Sequence, residues 1–325
     1  MKVVIVDCNF ESFAQEEAMC KREGYCLARY QCRTADEVLS VAAAADALLV
    51  QYAPITAEVI RSLKRCKVIV RYGIGVDMID LVAAAQGGIP VCNVPDYGID
   101  EVADHAMALA LTLCRQLPWF DREVRNGAWP SSAATPLLRL SEMTFGILGL
   151  GRIGRAVLER ARPFGFRFVT AGTSQSAEEL TALGVTRLDW DALFEQADVL
   201  SLHMPLTDQT RHMVAGRRLQ QMKPSSIIVN TARGGLIDTQ ALAEALLAGS
   251  IAAAGLDVFE GEPLASDHPL RGCQNALLTP HLAYYSSSSI ELLQRLASEE
   301  VERALKGLPL RCSLDLRAPP QSPPA

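Results

Sequence analysis

The sequence predicts an α/β protein built on two parallel-sheet units. Three observations lead there: short β-rich runs alternate with alanine- and leucine-rich helical stretches, 325 residues suffice for two cores, and a glycine turn stands where a strand should hand over to a helix. In the first third, residues 3–7, 26–30, 47–51, 67–71 and 90–93 read as strands separated by helices, enough for one sheet. After Asn93-Val94-Pro95, Asp100 is the expected N-cap of a long apolar helix over 101–117, a bridge with a hinge near its start. A fresh alternation opens at Phe145 and continues through strands at 166–171, 198–203, 226–230, 253–257 and 276–278, six in all. A last helix over 290–305, started by Ser288 with Glu291 in a capping-box relation, is expected to return the chain to the first unit. The expected domains are therefore 1–99 with 288–317, which is discontinuous, and 100–287, before a proline-rich disordered tail at 318–325.

Composition excludes several classes. A formal charge of −6 with acids and bases interspersed argues against a nucleic-acid footprint or an anionic membrane surface, and small-molecule partners fit better. No apolar run reaches membrane-spanning length, and the N-terminal run Val3-Val4-Ile5-Val6 is too short for a signal peptide. Nine scattered cysteines, without CxxC or Cys/His spacing, read as buried fillers in a reducing compartment, so the cytoplasm is expected and no metal.

The turn Gly149-Leu150-Gly151-Arg152-Ile153-Gly154 follows the apolar run from Met143 and opens a helical stretch that Pro163 and Gly165 close. Its first glycine permits the turn, its second lets backbone approach phosphate, and its third lets helix pack on strand, leaving N–H groups aimed at a dinucleotide pyrophosphate. In an open parallel sheet, the loops beyond the carboxyl ends of the strands decide the chemistry. Arg233 follows strand 226–230, flanked by small residues that leave its guanidinium fork free to grip a carboxylate. Asp257 and Glu262 follow strand 253–257, and His281 follows strand 276–278. Each alone has an ordinary structural reading, a helix-start arginine, solvated acids or a strand-end histidine. Together they supply an acid/base with a carboxylate partner and an anion anchor, the set hydride transfer needs.

With these residues the chain resembles the D-isomer-specific 2-hydroxyacid dehydrogenases over all but its tail. The resemblance rests on Gly149 to Gly154, Leu202-His203-Met204-Pro205-Leu206-Thr207 with Thr210, Val229-Asn230-Thr231-Ala232-Arg233-Gly234-Gly235, Asp257-Val258-Phe259-Glu260-Gly261-Glu262-Pro263, and Thr279-Pro280-His281. His281-Leu282-Ala283-Tyr284-Tyr285-Ser286 looks most like the C-terminal-binding-protein branch, which includes transcriptional corepressors. The resemblance implies two flavodoxin/Rossmann-like parallel-sheet domains, one binding substrate and one NAD or NADP. It implies His281 as acid/base, Glu262 as its partner and Arg233 as holder of the 2-oxo acid, whose carboxylate meets backbone amides of Tyr72, Gly73, Ile74 and Gly75. It further implies that Asp257 receives the nicotinamide carboxamide and that Gly149, Gly151, Arg152, Ile153, Gly154, His203, Pro205, Thr210, Thr231, Ala232, Arg233 and His281 line the cofactor. Related proteins dimerise, and the stretch 117–140 is the expected arm of a homodimer.

One departure bears on cofactor choice. Where NAD-using members end the second strand of the nucleotide fold in an acid, this chain has Gly172, followed by Thr173, Ser174 and Ser176 with no adjacent Arg or Lys. That pattern leans to NADP. Tyr52 and Tyr284 are candidates for lining the substrate side chain, which favours an apolar, medium-sized 2-oxo acid over a phosphorylated one. A nucleotide-sensing interaction protein with little turnover is the competing reading; formate or phosphite oxidation, which the resemblance to the wider family also allows, is a third, its formate branch disfavoured by Glu262 beside His281.

Overall fold

A computed structural model describes residues 1–133 and 136–314. The expected tail at 318–325 lies outside these residues. The described residues form two compact units, 1–98 together with 285–314, and 99–284.

The first unit alternates β1 (Lys2–Ile5), α1 (Ala14–Glu23), β2 (Cys26–Arg29), α2 (Ala35–Ala42), β3 (Ala47–Val50), α3 (Ala57–Ser62), β4 (Ile69–Arg71), α4 (Leu81–Gly87) and β5 (Val91–Cys92). Its five strands are all parallel in the order β2-β1-β3-β4-β5, the flavodoxin-like arrangement. Val4, Leu48, Val50, Ile69 and Val91 fill its core, as continuous apolar runs in a doubly covered sheet require. Thr34, Thr56 and Asp80 cap the helices that follow. The unit's last helix, Ser287–Lys306, packs against α1, β3 and β4. It is capped by Ser286 in a reciprocal box with Ser289, not by Ser288 with Glu291: two serines three residues apart do what Ser/Glu was expected to do.

The second unit begins with α5 (Ile99–Cys114) and α6 (Leu117–Arg125), then runs β6 (Thr144–Leu148), α7 (Arg152–Ala161), β7 (Arg167–Thr170), α8 (Ala177–Ala182), β8 (Val185–Arg187), α9 (Trp190–Gln196), β9 (Val199–Leu202), α10 (Gly216–Gln221), β10 (Ile227–Asn230), α11 (Thr239–Leu247), β11 (Ala253–Leu256) and β12 (Ala276–Leu278). The C-terminal helix of the first unit is thus α12. Seven strands, not six, form the sheet, ordered β12-β11-β10-β9-β6-β7-β8 and parallel throughout. The added strand, β8, is an edge with two of three residues exposed, so it carries no apolar run to announce it. Each face of the sheet is covered by its own apolar cluster. The bridging helix also differs from expectation. Asp100 lies inside α5, where its carboxylate pairs with Arg160 at 2.8 Å, and the helix stops at Cys114 because Gln116 turns left-handed (φ 50°) ahead of Pro118.

Candidate active site

The glycine turn has the expected geometry. Gly149 has φ 95°, and a Cβ there would lie 2.7 Å from the His203 carbonyl oxygen. A Cβ on Gly154 would lie 2.0 Å from the Gly149 carbonyl oxygen, so the first turn of α7 can pack on this loop only with glycine at that position. Gly151 faces open space at the N-terminus of α7, with Arg152 exposed and Ile153 partly buried beside it. Backbone amides there are open to an anionic group. Among the described residues, two buried polar atoms on the same rim have no partner, Thr231 Oγ1 and His203 Nδ1. A cofactor that supplies their partners fits this unit. His203 Nε2 contacts Ser201 Oγ at 2.8 Å, and burial lowers the imidazole pKa to about 4, so the ring is neutral at physiological pH.

Not every expected cofactor residue faces that rim. Thr210 is wholly buried, its hydroxyl donating to the Pro205 carbonyl at 2.8 Å, so it clamps the loop that carries the exposed Pro205. Thr173 is buried with its hydroxyl on Gln175, and Ser176 caps α8. Of the three hydroxyls after Gly172, only Ser174 is exposed and outside such a role. At Gly172 (φ 56°) a Cβ would lie 2.0 Å from the Trp190 ring, which closes the place where an acidic side chain would start. Arg187, from the unexpected β8, donates to the Gln175 carbonyl and so brings a cation to this loop.

Beyond β10, the buried Asn230 side chain holds the turn that presents Arg233: its Nδ2 donates to the Arg233 carbonyl at 2.9 Å and its Oδ1 accepts from the Ala232 amide at 3.0 Å. Arg233 and Ala232 are partly buried. Gly234 lets this loop meet the next, since a Cβ there would lie 1.9 Å from the Phe259 carbonyl carbon. That next loop delivers Glu262. Its Oε1 accepts from the Phe259 amide at 2.9 Å, and its Oε2 meets His281 Nδ1 at 2.6 Å. Partial burial would raise the Glu262 pKa, but His281, the Phe259 amide and the charge of Arg233 outweigh it and hold the carboxylate below its ordinary range. Tyr284 joins the group, its ring edge-on to His281 with centroids 6.4 Å apart.

Asp257 is 1% exposed and organises the loop that carries His281. Its Oδ1 accepts from the Thr279 hydroxyl at 2.6 Å and the Leu282 amide at 3.0 Å, and its Oδ2 from the Ala283 amide at 2.8 Å. Oδ2 therefore keeps acceptor capacity for a ligand amide. Asn230, Thr279 and His105, whose Nε2 lies 2.9 Å from Thr279 Oγ1, were not among the expected site residues. No spacing rule relates His105 to a loop 174 residues away.

In the first unit, Tyr52 is exposed just past β3. The Tyr72 ring is buried and its hydroxyl donates to the buried Glu16 at 2.7 Å. The amides of Tyr72 and Gly73 already donate to Val50 and Arg71 carbonyls, whereas those of Ile74 and Gly75 donate to no group among the described residues. Asn93 steadies this loop from its Nδ2 to the Ile74 carbonyl at 2.7 Å.

This is a doubly wound nucleotide unit with a histidine–carboxylate pair and an arginine at its strand ends, the makings of a nicotinamide-dependent dehydrogenase. Residues 107–283 match the family model described as D-isomer specific 2-hydroxyacid dehydrogenase, NAD binding domain. A glyoxylate reductase of Korarchaeum cryptofilum is 40% identical over 78% of this chain and 76% of its own. A D-3-phosphoglycerate dehydrogenase of Archaeoglobus fulgidus is 37% identical over 81% of this chain, but the match spans only 50% of that longer protein. The crystal structure of D-lactate dehydrogenase from Aquifex aeolicus, complexed with NAD and lactic acid, superimposes with a TM-score of 0.86 at 29% identity, covering 94% of this chain and 96% of that one. The chain belongs to the D-isomer-specific 2-hydroxyacid dehydrogenase family and carries that family's NAD(P)-binding domain. Among the described residues, no helix is long and apolar enough to cross a membrane.

Proposed function

We propose that the protein is an NAD(P)-dependent D-2-hydroxyacid dehydrogenase that reduces a small 2-oxo acid, with His281 as acid/base. The observation that carries this is the 2.6 Å contact between His281 Nδ1 and Glu262 Oε2, on a loop back to back with that of Arg233. Bound nicotinamide supplies or accepts the hydride. Because Nδ1 is committed to Glu262, the proton given to the forming hydroxyl comes from Nε2, and Glu262 stabilises the protonated ring beforehand. Arg233 offers its guanidinium to the oxo acid, where charge develops on the carbonyl oxygen. Oδ2 of Asp257 accepts from the cofactor amide, and Thr231 Oγ1 and His203 gain partners from the same ligand. In the first unit, the amides of Ile74 and Gly75 take the substrate carboxylate, as an uncommitted backbone pair suits. Tyr52 and Tyr284 favour an apolar, medium-sized side chain on the substrate.

The lean to NADP is part of this proposal. Gly172 backed by Trp190 supplies no carboxylate to repel a 2′-phosphate, while Ser174 and Arg187 offer a hydroxyl and a cation. The functional unit proposed is a homodimer in the cytoplasm, joined through the segment after Leu117.

The test is oxidation of NADPH and NADH by a panel of 2-oxo acids, including glyoxylate, pyruvate and branched-chain members, with 3-phosphoglycerate tried in the reverse direction. His281→Asn should lose turnover at every pH, and Arg233→Ala should lose turnover and raise the oxo-acid KM. Normal rates in both variants would overturn the site. Activity confined to 3-phosphoglycerate would overturn the substrate class, and a large NADH preference the cofactor. Tight nucleotide binding without turnover on any oxo acid would favour a sensing role instead.

A further inference from the structure

His281 has a left-handed backbone, φ 54°, which a non-glycine residue keeps only where its surroundings over-determine it. The Glu262 contact fixes the ring; it does not fix the turn. Besides a 3.1 Å bond from the His281 amide to the Thr279 carbonyl, Asp257 holds the turn. Its carbonyl accepts from the His281 amide at 2.8 Å, and its carboxylate accepts from the next two amides, Leu282 at 3.0 Å and Ala283 at 2.8 Å. Asp257 can do this only if its carboxylate is itself oriented, and one further donor reaches it, the Thr279 hydroxyl at 2.6 Å.

A threonine hydroxyl has one proton, and here Asp257 receives it. In the 2.9 Å contact between Thr279 Oγ1 and His105 Nε2 the ring must therefore be the donor. The direction of the chain is fixed from His105 to Thr279 to Asp257, with the proton of His105 on Nε2, 3.8 Å from Asp257 Oδ1. His105 sits on α5, a helix that packs against β10 and β11. It is the rigid end of the chain, anchored on a buried-faced helix, whereas Thr279 and Asp257 lie at strand ends.

We propose that His105 is a positioning residue for the proton transfer. By donating to Thr279 it locks the hydroxyl onto Asp257, and Asp257 then holds residues 281–283 in the turn that aims the His281 ring. The proposal rests on the acid/base role of His281 given above. Without the His105 donor, the Thr279 hydroxyl is free to rotate, the Asp257 carboxylate loses its fixed orientation, and His281 relaxes toward ordinary backbone angles. The loss falls on alignment for proton transfer rather than on binding of the oxo acid.

The experiment compares kcat, the oxo-acid KM, the solvent deuterium isotope effect on kcat, and thermal midpoint for the parent and for Thr279→Val, Thr279→Ser, His105→Leu and His105→Gln. Thr279→Val and His105→Leu should lower kcat by about ten- to a hundredfold. KM should stay within about twofold, and the solvent isotope effect should rise as the proton step becomes limiting. Thr279→Ser and His105→Gln, which keep the hydroxyl and a side-chain N–H, should recover most of the rate. Should His105→Leu not fold, His105→Met, which also has no side-chain N–H, replaces it. Parent-like kcat and isotope effect in folded variants with only a lowered thermal midpoint would overturn the proposal. So would a slow Thr279→Val beside a parent-like His105→Leu. His281→Asn is run in parallel: parent-like turnover there overturns the acid/base role itself, an outcome distinct from failure of the His105 chain.

Discussion

The charge on Glu262 is maintained against its own burial, and this gives it two measurable consequences. Its folded pKa lies below the ordinary 4.5, so its contribution to stability is complete above that pH and is lost as pH falls through the folded value. Glu262→Gln should therefore flatten the stability profile below about pH 4.5 in acid-titration melts. The same change removes the anion beside the imidazole, so reduction should slow by about tenfold or more. An unchanged rate profile would leave Glu262 without a catalytic role. His203 works with the opposite chemistry. Its pKa is lowered to about 4 by burial, so between there and about 6.5 the unfolded chain binds a proton that the folded chain does not. Stability should rise by about 1.4 kcal/mol per pH unit across that window from this ring alone. His203→Asn should remove that slope in urea melts at stepped pH, and a parent-like slope would mean the ring is solvated. That Glu262 and His281 share a rim could be read from sequence because each follows a strand of one parallel sheet, while their pairing is what the family resemblance implies. The His105 contribution could not, since it depends on which face of α5 meets the strand ends.

At the scale of elements, the glycines drew the nucleotide turn correctly because sterics leave no alternative. A Cβ at Gly149 or Gly154 would lie 2.7 Å or 2.0 Å from a carbonyl oxygen. Strand interiors were legible for the same kind of reason: buried on both faces, they read as unbroken apolar runs. Edges and caps were not. β8 is mostly exposed, and the start of α12 offered several serines, among which only packing selects Ser286. The missed β8 matters for cofactor choice, because it carries Arg187 to the loop after Gly172. Replacing Gly172 by Asp is the natural way to seek NADH preference, yet the Trp190 ring occupies that direction. The single variant should lose about 1–3 kcal/mol of stability through overpacking and gain little for NADH. Gly172→Asp combined with Trp190→Ala should recover stability and shift the NADH/NADPH ratio of kcat/KM toward NADH. A single variant that already prefers NADH with an unchanged melting temperature would show that Trp190 moves aside freely.

For the whole molecule, the two-unit division followed from length and from the restart of alternation at Phe145. The order of strands within each sheet did not, because sequence fixes which residues are in strands more directly than which strands are neighbours. Assembly is a further step removed from the chain's own sequence pattern. The helix α6 and the segment after it expose apolar side chains at Leu117 (54%), Val124 (48%), Trp129 (88%) and Leu138 (39%), and α6 itself has no buried residue. A helix without a buried face is not held by its own unit's core, and large apolar side chains left this exposed are a feature of interaction surfaces. In a closed symmetric dimer the same segment meets its equivalent or a fixed neighbour, so each exposed residue is covered twice over. Light scattering after size exclusion should give twice the 35.2 kDa chain mass for the parent. Trp129→Glu with Val124→Lys should shift it toward the single-chain mass, because each charge would have to be buried without a partner. Since the nucleotide turn lies on other elements, NAD(P)H fluorescence titration should still show binding in the dissociated form. A parent that elutes as a single chain would end the dimer proposal, and a double variant that stays dimeric would move the interface off this segment.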